Sequence, residues 1–138
     1  KTRKTKMTNE TIGNRPQNEK YPYAVFKVGD RANERGYTDV RPCTVVKVER
    51  NGSRVIVRSD KFERNKDSKP EFVPGGFAGH CTNQHEIKYD ISEDLNGYEA
   101  AYTLRKWRGR YCWTAAGCSP DGRNQIGKGW RAFYDYNF

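Results

Sequence analysis

Few side chains in this chain are suited to holding a metal or activating a nucleophile. The soft ones are Cys81 and His85, spaced Cys-x3-His, and Cys112 and Cys118, spaced Cys-x5-Cys, with His80 beside Cys81. If the GGFAGHC stretch folds onto the strand carrying Cys112, three thiolates and an imidazole meet in the tetrahedral set that zinc takes. Neither spacing is the C-x2–4-C of a finger or ribbon, and the competing reading is polar loop histidines and small buried thiols. Cysteine catalysis needs an imidazole against the thiol and a carboxylate to orient it: Cys81 with His80 or His85, and Asp60 or Glu86 behind. Adjacent residues on a strand point to opposite faces, so His80 serves Cys81 only if the chain turns there. Asp39 and Asp60, near the two ends of one hairpin, fit a metal or acid/base pair, or else two turn caps. Gly75-Gly76 lacks the Lys-Ser/Thr of a phosphate-binding loop and precedes no helix. The expectation is a protein without enzymatic activity or cofactor.

Charge points elsewhere. The 138 residues carry 26 Lys and Arg against 17 Asp and Glu, for a net charge of +9. The pI is near 9.5. Such a balance favours polyanionic partners, nucleic acid first. With strands on either side of Arg108-Gly109, alternation puts Lys88, Arg105, Trp107, Arg110 and Cys112 on one outward face. Cations beside an exposed indole pair phosphate contacts with base stacking. Arg108 joins them from the turn, and Arg54 and Arg58 form a second patch on an earlier hairpin. The alternative is an ordinary charged face with Trp107 tucked under a neighbouring loop.

Those positions call for short strands. Nine Tyr, six Phe, three Trp and 13 Gly, with one Met and no apolar stripe at helical spacing, make the class all-β. Asn51-Gly52 lies between two alternating runs and predicts a hairpin with a two-residue type I′ turn. Val48 then faces Val55 and Val46 faces Val57 on the buried side, with Thr44 and Ser59 further along. Glu49/Arg54, Lys47/Ile56 and Val45/Arg58 form the other side. Asn96-Gly97 predicts pairing of 86–91 with 102–107, and Arg108-Gly109 pairs that strand with 110–115. Arg108 is awkward in a tight I′ turn, which favours a loop one or two residues longer. The result is a meander over 86–115 with Ile87, Tyr89, Ile91, Tyr102, Leu104, Tyr111, Trp113 and Ala115 turned inward.

Around this frame, 21–30 reads as a lead-in strand and turn, 61–70 as a solvated loop, and 116–129 as loop. In 71–79 Phe72 and Phe77 anchor a break at Pro74-Gly75-Gly76. The alternation of 130–138 reads as a closing strand whose Trp130, Tyr134, Tyr136 and Phe138 face the core. Residues 1–20 hold six Lys/Arg and almost no apolar side chain, and read as a basic, mobile arm on a single β domain of 21–138. Either residues precede Lys1, or translation starts at Met7 and KTRKTK is vector-derived, which discounts the pull of KTRKTK on nucleic acid. No apolar run is long enough to span a membrane and no secretory signal is visible. The four cysteines are expected to be reduced.

The order V-G-D, polar loop, T-V-V-x-V and hairpin looks like the opening of SH3-like barrels of the KOW and Tudor kind, which serve binding more than catalysis. VGDRA, YTDVRPCTVVKV, the SD of RSDKF, the NG of DLNGYEA, TLRKWRGRY and IGKGWRAFYDYNF together, across 28–138, resemble a family of small uncharacterised bacteriophage and mobile-element proteins. The chain departs from that pattern in its FVPGGFAGHCTNQ insert and in Trp107-Arg108. The resemblance implies an origin and no mechanism: a phage accessory protein in the bacterial host cytoplasm, acting on DNA, RNA or a host enzyme. Its first expected role is nucleic-acid binding. The second is blocking a host nucleic-acid enzyme or defence nuclease, with Trp107, Tyr111 and the FVPGGF loop as anchors. A virion structural role is the third.

Overall fold

The computed structural model describes residues 23–75 and 79–137. Expectations placed on residues 1–20, Tyr21, Gly76, Phe77 and Phe138 lie outside the described residues. The strands are β1 (Arg31–Arg35), β2 (Val40–Glu49), β3 (Arg54–Ser59), β4 (Lys61–Arg64), β5 (Phe72–Val73), β6 (His80–Cys81), β7 (Tyr89–Ser92), β8 (Glu99–Trp107), β9 (Arg110–Ala115) and β10 (Gln125–Lys128). Six of them close an antiparallel barrel in the order β1-β10-β9-β8-β3-β2, and β4–β7 and β5–β6 are separate two-stranded ribbons. The protein is therefore all-β, with a closed barrel consistent with a small SH3-like one.

Both tight hairpins form as their turn residues dictate. Asn51 (φ 57°, ψ 34°) and Gly52 (φ 92°) take the positive φ of a type I′ turn, with Glu49 opposite Arg54 and Val48 opposite Val55. Arg108 (φ 53°) and Gly109 (φ 76°) do the same between β8 and β9, where Trp107 faces Arg110, Leu104 faces Trp113 and Tyr102 faces Ala115. The loop needs no extra residue. Alternating side chains from these strands, with Ala32 of β1, Ile126 of β10 and Phe26 from the segment before β1, fill the interior, where Cys43, Val45, Val55, Val57, Tyr102 and Trp113 lie. Each large apolar group removed from water contributes about 1.5–3 kcal/mol.

Several boundaries differ from the sequence reading. The β2–β3 register slips at Val46, so that Val45 opposes Val57 and Thr44 opposes Arg58. The bulge turns Cys43 and Val45 inward and Val46 outward, and bends β2 around the barrel. Segment 86–91 does not join β8, because both edges of β8 are taken by β3 and β9. Instead β7 pairs with β4, Tyr89 opposite Arg64 and Ile91 opposite Phe62. The lead-in strand is absent from 23–30, and the barrel opens with β1 after a turn at Gly29 (φ 95°). The closing strand is β10, within 116–129, with Ile126 facing Trp113. Residues 130–137 make only the bridge between Phe133 and Val40. No helix among the described residues is long and apolar enough to cross a membrane.

Candidate nucleic-acid interface

The pairing of three neighbouring strands decides which cations share a face. Arg54 opposes Thr103, and Arg105 opposes Cys112 while Trp107 opposes Arg110. Arg54, Arg105 and Arg110 are thus successive diagonal neighbours on the outer face of β3, β8 and β9, each step roughly 7–8 Å along the backbone. Arg50 and Arg108 stand in the turns at the two ends of this row. Among the described residues Arg105, Lys106, Arg108 and Arg110 have no carboxylate within 4.0 Å. Among the described residues the Arg105 guanidinium reaches the Cys118 carbonyl, at 3.5 Å.

Two members of the second patch are occupied. Arg54 is held by Glu49, which also binds Lys47 at 3.2 Å. Those contacts, Lys47 first and Arg54 next, hold the Glu49 carboxyl below its ordinary range. Arg58 leaves the site: its side chain is 15% exposed and lies 4.0 Å from Asp60 and 3.9 Å from Glu93. Lys88 leaves it too, because it precedes β7 on the ribbon, where Asn65 and Ser68 bond its backbone. Trp107 is half-buried, with the Arg108 guanidinium 4.7 Å from the ring centre. The far edge of its ring meets Gly122, where an added Cβ would lie 3.4 Å from Cη2. It is the tucked indole rather than an open stacking platform.

Beside the row lies a groove of about 420 Å³, lined by Arg50, Arg54 and Arg105 over Ser53, Thr103 and Gly117. The bond from Leu104 N to the Ser53 carbonyl, 2.9 Å, fixes the β2–β3 turn against β8 and so sets Arg50 across from Arg105. Sequence reasoning missed Arg50, whose signal was its place directly before Asn51-Gly52.

The soft-ligand set does not come together. Cys81 sits in β6, His85 stacks on Phe133 at 5.1 Å, Cys112 lies 3.3 Å from the Thr114 hydroxyl on β9, and Cys118 is in the following loop. Among the described residues no three His, Cys, Asp or Glu side chains are grouped to hold a metal ion. Asp39 accepts the Asp135 amide at 3.0 Å, a long-range bond to the C-terminal segment rather than a local cap. Asp60 is no simple cap: it accepts Thr44 Oγ1 at 2.6 Å, Trp130 Nε1 at 2.9 Å and the Asp94 amide at 3.2 Å. Inside the barrel Tyr102 donates to buried Glu34 at 2.7 Å. Burial first, then Glu34, push the Tyr102 phenol and the Cys43 thiol upward. A thiol held protonated in this way is no nucleophile. No family model, curated protein or solved structure matches the chain.

Proposed function

We propose that this chain is a small basic phage accessory protein of the bacterial host cytoplasm that binds nucleic acid through its phosphates. The carrying observation is the diagonal row of Arg54, Arg105 and Arg110 across three adjoining strands, with Arg105, Arg108 and Arg110 free of carboxylates among the described residues. Arginine matches phosphate oxygens with paired N–H donors, and an outward row of them follows a strand without reading its bases. The contacts are chiefly electrostatic, because Trp107 already carries Arg108 on its ring. Fluorescence anisotropy with labelled single strands over a salt series tests the proposal. R105A/R108A/R110A is expected to weaken all sequences alike and to flatten the log–log salt dependence by about two, at ~0.7 per lost phosphate contact. A slope equal to the parent's rejects it.

A second reading rests on a different surface. Phe72 is 53% and Tyr134 50% exposed, and both pack on Tyr136, with ring centres 5.9 and 4.8 Å apart. Solvent-facing aromatics of this kind anchor protein interfaces, which supports blockade of a host nucleic-acid enzyme or nuclease. Phe72 then replaces Trp107 as the anchor. One host protein retained stoichiometrically after nuclease treatment, and lost with F72A/Y134A, supports this reading; retention that survives both changes excludes it.

A further inference from the structure

The groove beside the arginine row has a chemistry of its own. Three arginines line it, and among the described residues no Asp or Glu does. Its rim also contains an uncommon backbone conformation. The I′ turn takes Asn51 and Gly52 at positive φ, residue types that adopt it readily, but Arg50 before them is also left-handed, at φ 52°. Glycine or asparagine would sit there with less strain. The Arg50 side chain is exposed, and among the described residues it has no ionic partner. Non-glycine residues held in this region by their surroundings cluster at ligand-binding positions. Arg54, four residues on in the same hairpin, is neutralised by Glu49, whose carboxylate gives it one oxygen and Lys47 the other, as phosphate oxygens can.

We propose that this groove is a phosphate subsite in which Arg50 and Arg105 grip the oxygens of one phosphate from two sides. Arg54 completes the grip by exchanging Glu49 for the ligand. Glu49 is then an internal stand-in that keeps Arg54 placed and its charge compensated while the groove is empty. The inference rests on the nucleic-acid reading and adds to it where along the row one phosphate is seated. The chemistry is shared by an internal phosphodiester and a terminal phosphomonoester, and the experiment separates them.

The probe is a short single-stranded oligonucleotide, made with a 5′-hydroxyl or a 5′-phosphate and titrated against the full chain. Arg50→Gly is expected to lower affinity about tenfold, the loss of one charge-assisted contact, while the melting temperature stays equal or rises because strain is relieved. Glu49→Gln is expected to raise affinity several-fold and to steepen the salt dependence by about 0.7. Glu63→Gln, on the separate β4–β7 ribbon, controls for the simple removal of a negative charge and is expected to change little. A preference for the phosphorylated strand that vanishes in Arg50→Gly assigns the subsite to a terminal phosphate. Equal binding of both strands, equally weakened by Arg50→Gly, assigns it to an internal diester. The subsite is overturned if Arg50→Gly binds as the parent does while R108A/R110A has lost affinity, which leaves the hairpin reading standing. It is also overturned if Arg50→Gly loses melting temperature along with affinity, for Arg50 then acts on the fold. A parent chain that shows no salt-dependent binding removes the nucleic-acid reading itself.

Discussion

At the scale of single residues, Asp60 contributes more than its place in the sequence suggests. Its carboxylate is fully enclosed and takes hydrogen bonds from Thr44, Trp130 and the Asp94 amide, so it joins the barrel to the 93–98 loop and the C-terminal segment. Asp60→Ala strands one buried and two half-buried donors and is expected to lower stability by about 2–3 kcal/mol in urea denaturation, with Asp60→Asn losing roughly half of that. The interior also sets an alkaline limit. Cys43 and Tyr102 are raised above their ordinary 9.0 and 10.0 by burial first and Glu34 next. The unfolded chain therefore ionises before the folded one. Their contribution is complete below pH 9 and is lost as pH climbs, at up to about 1.4 kcal/mol per pH unit for each group. Urea midpoints are expected to decline from near pH 9 and to fall faster above 10, and Cys43→Ala to delay the onset; a midpoint level through this range contradicts the assignment. Arg105 and Arg110 were legible because strand alternation and one turn fix their side. Arg58 was not, since the Glu93 that engages it comes from a loop with no periodic signal.

At the scale of elements, the Asn51-Gly52 turn was read correctly, the Arg108-Gly109 turn was placed but expected to be longer than it is, and the Asn96-Gly97 turn was misread. Asn96-Gly97 resembles a hairpin turn, yet Gly97 is needed for a close approach: a Cβ there would lie 2.0 Å from the Ser59 carbonyl oxygen. Gly97→Ala is accordingly expected to destabilise by about 1–3 kcal/mol and to disturb the bond from Ser59 N to the Tyr98 carbonyl, visible as lost amide protection. Protection unchanged at Ser59 counts against this role. The Val46 bulge was equally hidden, because an inserted residue leaves the apolar composition of β2 intact and shows itself only in what β3 opposes. β10 escaped notice for a related reason. QIGK offers one apolar side chain, and its pairing partners β1 and β9 lie elsewhere in the chain.

At the scale of the whole molecule, β1 and β10 meet across most of the sequence, Ala32 opposite Lys128 and Glu34 opposite Ile126. Closure of so large a loop precedes the contacts that reward it, so refolding is expected in milliseconds to seconds, followed through Trp113 fluorescence. Ile126→Ala, in the closing strand, is expected to cost about 2–4 kcal/mol and mainly to speed unfolding. A slowed refolding limb with unfolding untouched would instead place closure early. The barrel as a class was readable from aromatics, glycines and turns; which strand sealed it was not, since that is a long-range pairing. A sealed ring also governs how this protein meets others. Every one of its six strands has a neighbour on both sides, so a foreign strand finds no whole edge along which to zip, only the ends of β2 and β9 that β1 and β10 leave uncovered. Visitors to most of the barrel wall must therefore be recognised by guanidinium and ring, while backbone-to-backbone recruitment, and with it any tendency to stack into filaments at high concentration, is confined to those short strand ends and the ribbons outside.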